Sequence, residues 1–155
     1  MNLSDIFPIE GVILDFQGSG PEECLSLIVK HLVEVGLLEE RLQEKALSAL
    51  MEREKSMSTV MGDGLAIPHA SLPGLAREIG AIAISPKGLS FGGPEGEPVH
   101  LICCMLIPPA RKILHVRTLA SLARILIRPE IRKDLLEAKT PAQVHDILAG
   151  AESKA

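Results

Sequence analysis

The stretch Met61-Gly62-Asp63-Gly64-Leu65-Ala66-Ile67-Pro68-His69-Ala70 departs from ordinary core building, and the rest of the chain is best read outward from it. Gly-Asp-Gly permits a tight turn with positive φ. Leu65 to Ile67 is a short apolar run that reads as a core strand. Pro68 fixes its own φ and pushes Ile67 toward an extended conformation. His69 is thereby delivered at a strand end with little local freedom, as a nucleophile or ligand requires. The plainer alternative is a histidine in a loop after a strand. Ala66, Pro68 and Ala70 are small or apolar, which suits a ring that is neutral near pH 7.

Upstream, residues 11–16 read as a short strand that breaks at Gly18-Ser19-Gly20. Pro21 fits the first position of a helix, where its missing N–H costs nothing, and Glu22 and Glu23 suit the helix N-terminus. Leu25, Ile28, Val29, Leu32 and Val33 keep helical spacing up to Gly36. A second helix, from about Glu39 to Glu54, carries Leu42, Ala46, Leu47 and Leu50 on one face.

Downstream, Ile79 to Ile84 is another apolar run. Gly88, Gly92, Gly93, Pro94 and Gly96 form a long turn region. Val99 to Ile107 is apolar at alternating positions of both parities, which predicts a strand covered on both sides and stopped by Pro108-Pro109. Arg111 to Ile127 has an apolar helical stripe, and Pro129 opens a helix to about Ala138. Thr140-Pro141-Ala142-Gln143 is a capping box that starts a last helix to about Leu148. Strand, helices, strands and helices in that order predict an α/β fold. The expected arrangement is a mixed parallel/antiparallel sheet between helical layers, a three-layer α-β-α sandwich. Strict β-α alternation is absent, which argues against an all-parallel sheet. The length suits one domain over residues 1–155.

Composition removes several classes of function. Hydrophobic residues make up 46% of the chain but aromatics only 2%, so the core must be aliphatic and the stacking platforms of single-stranded nucleic-acid binders are missing. The formal net charge is -4 with no long Lys/Arg block, so nucleic acid is not an expected partner. No run reaches the roughly 18 apolar residues that span a bilayer, and the first residues lack a signal-peptide pattern. The expectation is a chain that is not membrane-inserted. Three cysteines, two of them adjacent, make no disulfide framework, and a reducing cytoplasm fits best.

Two further residues bear on His69. In the 111–127 helix, His115 shares a stripe with Leu119, Leu122 and Leu126, on the buried face of the first turn. It is either a satisfied core residue or the second wall of a site. Arg53 ends the second helix just before Ser56 to Thr59; taken alone it reads as a surface arginine.

Together, Arg53-Glu54, Ser58-Thr59 and Gly62-Asp63-Gly64-Leu65-Ala66-Ile67-Pro68-His69-Ala70 resemble the signature of enzyme IIA domains of the phosphoenolpyruvate:sugar phosphotransferase system. The type is the fructose/mannitol class, which includes nitrogen-regulatory members. The likeness continues through Leu72-Pro73-Gly74, Phe91-Gly92, Gly96-Glu97-Pro98-Val99, Pro108-Pro109, His115 and Pro129-Glu130-Ile131-Arg132. It covers about residues 3–149. Val60 departs from the pattern, since many relatives carry glycine there, a change that would stiffen the loop.

The resemblance implies a mixed sheet between helical layers and a phosphoryl group accepted by His69 from the histidine-containing phosphocarrier protein. It implies Nε2 as the accepting atom and matches Arg53 and His115 to the family's arginine and second histidine. The downstream partner would be an enzyme IIB, or a transporter or kinase regulated by the phosphorylation state. The chemistry agrees: phosphoryl transfer needs in-line placement and stabilised charge, and a neutral imidazole can both attack and leave. Arg53 is the candidate clamp. Backbone N–H groups around Gly62 and Gly64, or the N-terminus of the 111–127 helix, are candidate phosphate donors.

No metal or other cofactor is expected: His31, His100 and His145 lie on separate elements without ligand spacing, and Cys103-Cys104 falls in a core strand. There is no Gly-x-x-x-x-Gly-Lys loop and no sign of nucleotide binding. A non-catalytic enzyme IIA-like module that only regulates a transporter or kinase is the alternative. A third reading is a hydrolase using His69, His115 and water, which lacks a carboxylate close in sequence to either histidine. Sugar-specific and nitrogen-regulatory roles both stay open.

Overall fold

The computed structural model describes residues 2–93 and 96–153, so Pro94 of the expected turn lies outside the described residues. A short helix α1 (Leu3–Ile6) is followed by β1 (Val12–Ile13), α2 (Gly20–Glu34) and α3 (Gln43–Ser56). Three short strands come next, β2 (Val60–Gly62), β3 (Leu65–Ala66) and β4 (His69–Ser71). The long strands β5 (Ile79–Leu89) and β6 (Val99–Ile107) precede α4 (Lys112–Leu126), α5 (Pro129–Glu137) and α6 (Pro141–Ser153).

Several of these boundaries follow from single residues. Pro21 sits in the first turn of α2, as its backbone chemistry favours. Asp15 adopts φ 51, which ends β1 well short of the six residues expected, and the Phe16 N–H then donates to the Ile84 carbonyl. The second helix starts later than expected because Glu40–Leu42 form a 3₁₀ turn first. β5 runs beyond Ile84 into the expected turn. Its register with β6 shifts between Ile84 and Leu89, and Gly88 takes up the irregularity with φ 82. Half of the capping box of α6 is present: the Gln143 N–H donates to Thr140 Oγ1 at 3.1 Å. The Gln143 side chain accepts instead from the Lys139 N–H at 2.6 Å, one residue earlier than the motif predicts.

The sheet order is β1-β5-β6-β3-β2, with β4 also paired to β6. β1 is parallel to β5, and β3 and β4 are parallel to β6; β5–β6 and β2–β3 are antiparallel. The sheet is therefore mixed, as the missing β-α alternation predicted. β6 is its spine, and its alternating side chains divide the core. Ile102, Cys104 and Leu106, with Ala81 and Ala83 of β5, pack against α2 and α3 through Leu25, Ile28, Leu32 and Leu50. Leu101, Cys103, Met105 and Ile107, with Ile82 and Ile84, pack against Leu122, Ile125 and Leu126 of α4, Leu135 of α5 and Leu148 of α6. Each fully buried Leu or Ile contributes about 1.5–3 kcal/mol, so two aliphatic faces suffice without an aromatic core. Phe7 joins the second face where Gly80 makes room: a Cβ there would lie 2.5 Å from the ring.

The segment that holds His69 is one strand with a gap. Leu65 and Ala66 pair with Leu101 and Ile102, and His69, Ala70 and Ser71 pair with Met105, Leu106 and Ile107. The offset is the same on both sides of the gap, so β3 and β4 share a register. Pro68 has no N–H to donate, which breaks the ladder, but its carbonyl accepts from the Met105 N–H at 2.9 Å. His69 thus opens a new stretch of strand rather than following a strand end.

Candidate active site

Pairing with Met105 turns His69 toward the face covered by α4, whereas Ala70 points to the α2/α3 side. The ring is half-buried. Its Nδ1 lies 2.7 Å from the Ile67 carbonyl oxygen. A carbonyl can only accept, so Nδ1 carries the proton and Nε2 keeps its lone pair. The gap at Pro68 is what allows this bond, because Ile67 is outside the β6 ladder and its carbonyl is turned to the ring.

Burial holds the His69 pKa below the ordinary histidine value. The bond to Ile67 and the Glu54 carboxylate oppose that shift, and the Arg53 guanidinium reinforces it. The net shift favours the neutral ring.

His115, in the first turn of α4, meets His69 edge-on, with ring centroids 5.3 Å apart and planes at 76°. Its Nε2 is buried and has no hydrogen-bond partner among the described residues. Its pKa is also lowered, by burial first and by His69 second, while Glu78 acts in the opposite direction.

Arg53, in the last turn of α3, borders a cleft of about 250 Å³ that it shares with Ser58, Thr59, Ile67, His69 and Leu119. Its Nη1 donates to the Met57 carbonyl at 2.8 Å, and the Met57 N–H donates back to the Arg53 carbonyl at 3.2 Å. This exchange closes the end of α3 beside the cleft that Arg53 lines.

Arg53 and His115 are each brought beside His69. Gly62 and Gly64 are not. They form the β2–β3 turn with Asp63, all three at positive φ, and neither borders the cleft. The Gly64 carbonyl accepts from the N–H groups of His100 and Leu101, and a Cβ on Gly64 would lie 3.0 Å from the His100 ring. Their role is to turn the chain beside β6, and the segment Ser58–Met61 occupies the cleft wall in their place.

Two carboxylates have places that sequence reasoning did not assign. Glu54 Oε1 accepts from Thr59 Oγ1 at 2.6 Å, and Oε2 accepts from the Thr59 N–H at 2.8 Å. The Thr59 carbonyl in turn accepts from the Ile67 N–H at 3.1 Å. The end of α3 is thereby tied to the strand that carries His69. Glu54 and Thr59 stood in the quoted signature, so a helix-end carboxylate five residues before a threonine was the available signal. Glu78, just ahead of β5, is 2% exposed, and its Oε2 lies 3.5 Å from Arg111 Nη1. Nothing in the sequence pairs positions 78 and 111.

The chain matches the family described as phosphoenolpyruvate-dependent sugar phosphotransferase system, EIIA 2, over residues 5–151. It is 32% identical over 148 residues to the fructose-specific EIIA component of Haloferax volcanii, covering 96% of this chain and 95% of that protein. Among solved structures it is similar to the nitrogen regulatory protein IIA-Ntr of Neisseria meningitidis. That match has a TM-score of 0.83 and 28% identity over 94% of this chain and 98% of that one. It also shares the fold of enzyme IIA of the mannitol system of Escherichia coli, solved in complex with phosphorylated enzyme IIB. There the TM-score is 0.75 at 21% identity, over 93% of this chain and 99% of that one. No helix among the described residues is long and apolar enough to cross a membrane.

Proposed function

The chain belongs to the EIIA 2 family of the phosphoenolpyruvate-dependent sugar phosphotransferase system, and on that premise we propose that His69 carries a phosphoryl group in the cytoplasm. The donor is the histidine-containing phosphocarrier protein. Nε2 of His69 attacks phosphorus in line as the donor's P–N bond breaks, and the donor imidazole leaves. Nδ1 keeps its proton throughout on the Ile67 carbonyl, so no general base is needed. Arg53 receives the equatorial oxygens through paired donors, and His115 donates to one of them from Nε2.

The observation that carries this reading is the 2.7 Å bond from His69 Nδ1 to Ile67, which leaves Nε2 as the nucleophile beside an arginine and a second imidazole. The next acceptor is an enzyme IIB, as in the mannitol complex from Escherichia coli, or the phosphorylation state acts as a signal to a regulated transporter or kinase. Hydrolysis is disfavoured because Glu54 has both oxygens engaged by Thr59 and Glu78, the carboxylate that acts on His115, is buried away from solvent.

The test is incubation with phosphoenolpyruvate, enzyme I and the phosphocarrier, followed by detection of an acid-labile, alkali-stable label. Wild type is expected to take up label and His69→Ala to lose it. Robust labelling of His69→Ala removes His69 from the role. Absence of labelling in wild type with cognate partners favours the non-catalytic module.

A further inference from the structure

We infer that Glu78 is a positioning residue for the transfer: buried on the His115 face of the sheet and tethered to Arg111, its carboxylate governs how readily that ring holds the proton it presents to the phosphoryl group. The inference rests on the proposed carrier role of His69.

The register supplies the geometry. His69, Met105 and Gly80 occupy one rung across β4, β6 and β5. Glu78 precedes Gly80 by two residues, so in extended chain its side chain leaves the sheet on the same face as His69. That face is covered by α4, whose first turn carries His115. The His115 ring thus meets His69 edge-on, and Glu78, on the same face of the sheet, is close enough to act on its charge.

Glu78 itself is unusual. Its side chain is fully enclosed, its Arg111 partner is at the long limit of a hydrogen bond, and its Oε1 has no partner among the described residues. Buried carboxylates normally satisfy both oxygens, so an idle one is a sign of function or strain. His115 Nε2 is likewise a buried side-chain atom without a hydrogen-bond partner among the described residues. A fully enclosed acid and an idle imidazole nitrogen thus lie on the same face of the sheet as His69.

The charges that face His115 are His69 from β4 and Glu78 ahead of β5. Arg111 acts through Glu78, and Arg53 and Glu54 on α3 act through His69. In the unphosphorylated protein, burial and His69 keep His115 neutral, and Arg111 moderates the pull of Glu78. When the phosphoryl group arrives on His69, a second anion faces the ring. His115 then takes one proton from solvent, donates it from Nε2 to a phosphoryl oxygen, and returns it when the group leaves. Glu78 lowers the cost of that imidazolium.

The test is an NMR titration of the His115 ring in the full chain, assigned by the loss of its signals in His115→Asn, for wild type, Glu78→Gln and Arg111→Gln. Glu78→Gln is expected to lower the His115 midpoint by about half a unit or more, and Arg111→Gln to raise it by a similar amount. Transfer at neutral pH is expected to slow several-fold in Glu78→Gln, while the acid limb of the profile, set by His69, stays in place. An unmoved midpoint in Glu78→Gln, or shifts of the same sign in both variants, overturns the inference. If Glu78→Gln does not fold, Arg111→Gln decides alone, and a midpoint that does not rise is the adverse result. If wild type accepts no phosphoryl group the carrier reading fails, whereas the midpoints still judge Glu78.

Discussion

Replacement of Arg53 by alanine separates the chemistry of the cleft from the stability of the fold. The guanidinium makes one hydrogen bond among the described residues, from Nη1 to the Met57 carbonyl at the end of α3. That bond is at an exposed helix terminus, where solvent screening of the guanidinium leaves it worth about 0.5–1.5 kcal/mol. For a chain of this length the melting temperature should fall by about 1–6 °C. Arg53 borders the cleft beside His69, and on the proposed reading its remaining donors bind the phosphoryl group there. Their bonds to a phosphoryl group join charged partners, each worth about 1.5–3 kcal/mol and realised only as the group transfers. Loss of one such bond slows transfer by about 10- to 150-fold. The assay is single-turnover transfer from the phosphorylated phosphocarrier to Arg53→Ala, with calorimetry on the same sample. Transfer within threefold of wild type refutes the clamp. So does a large loss of stability that accounts for the whole loss of rate. Arg53→Lys is expected to regain charge but not paired donors, and to fall between the two.

Transfer should be nearly constant from pH 7 to 8 and decline only at lower pH, because burial holds the His69 pKa below 6.5 and the neutral ring is the nucleophile; a decline centred above 6.5 contradicts the assignment. Stability should follow the same groups. Between 6.5 and the lowered folded values of His69 and His115 the unfolded chain binds more protons, so stability is complete above 6.5 and is lost as pH falls through that window. Urea midpoints at pH 7.5 and 5.5 measure this, and the pair His69→Gln, His115→Gln should flatten the dependence. Thr59→Val leaves Glu54 Oε1 without its 2.6 Å donor and should destabilise by about 1–3 kcal/mol while slowing transfer, since it loosens the cleft wall. Gly80→Ala places a methyl 2.5 Å from Phe7 and should lower the melting temperature by about 2–12 °C, from an overpacking cost of about 1–3 kcal/mol, with transfer retained in the folded fraction.

The elements that were legible are those governed by local rules. Val99–Ile107 appears as read because an apolar run between turn residues and Pro108-Pro109 has one economical use, a strand covered on both faces. Pro21 and Pro129 mark helix starts for a similarly local reason. The short strands β2 and β4 were not legible, since two or three residues carry no period and their pairing depends on β6 lying alongside. In the site, the stripe Leu119, Leu122 and Leu126 placed His115 on a buried face, but only the family resemblance joined it to His69. The backbone amides of Gly62 and Gly64 looked like phosphate donors because glycine-rich turns often are. Here the Gly64 carbonyl accepts from the N–H groups of His100 and Leu101, and neither glycine borders the cleft. Glu78 and Arg111 meet only because β5 starts where α4 begins, a contact between residues 33 positions apart with no sequence signature.

The gap between β3 and β4 has a mechanical consequence. Because Ala66 and His69 keep step with Ile102 and Met105, the most deeply embedded strand acts as a ruler for the imidazole, and the proline interrupts the scale without moving its marks. A single residue inserted between Ala66 and His69 would leave every local dihedral preference intact yet turn the ring over, exchanging its place with that of Ala70. The imidazole would then enter the packed layer under α2 and α3. Length in this segment is therefore constrained more tightly than the identity of most residues within it.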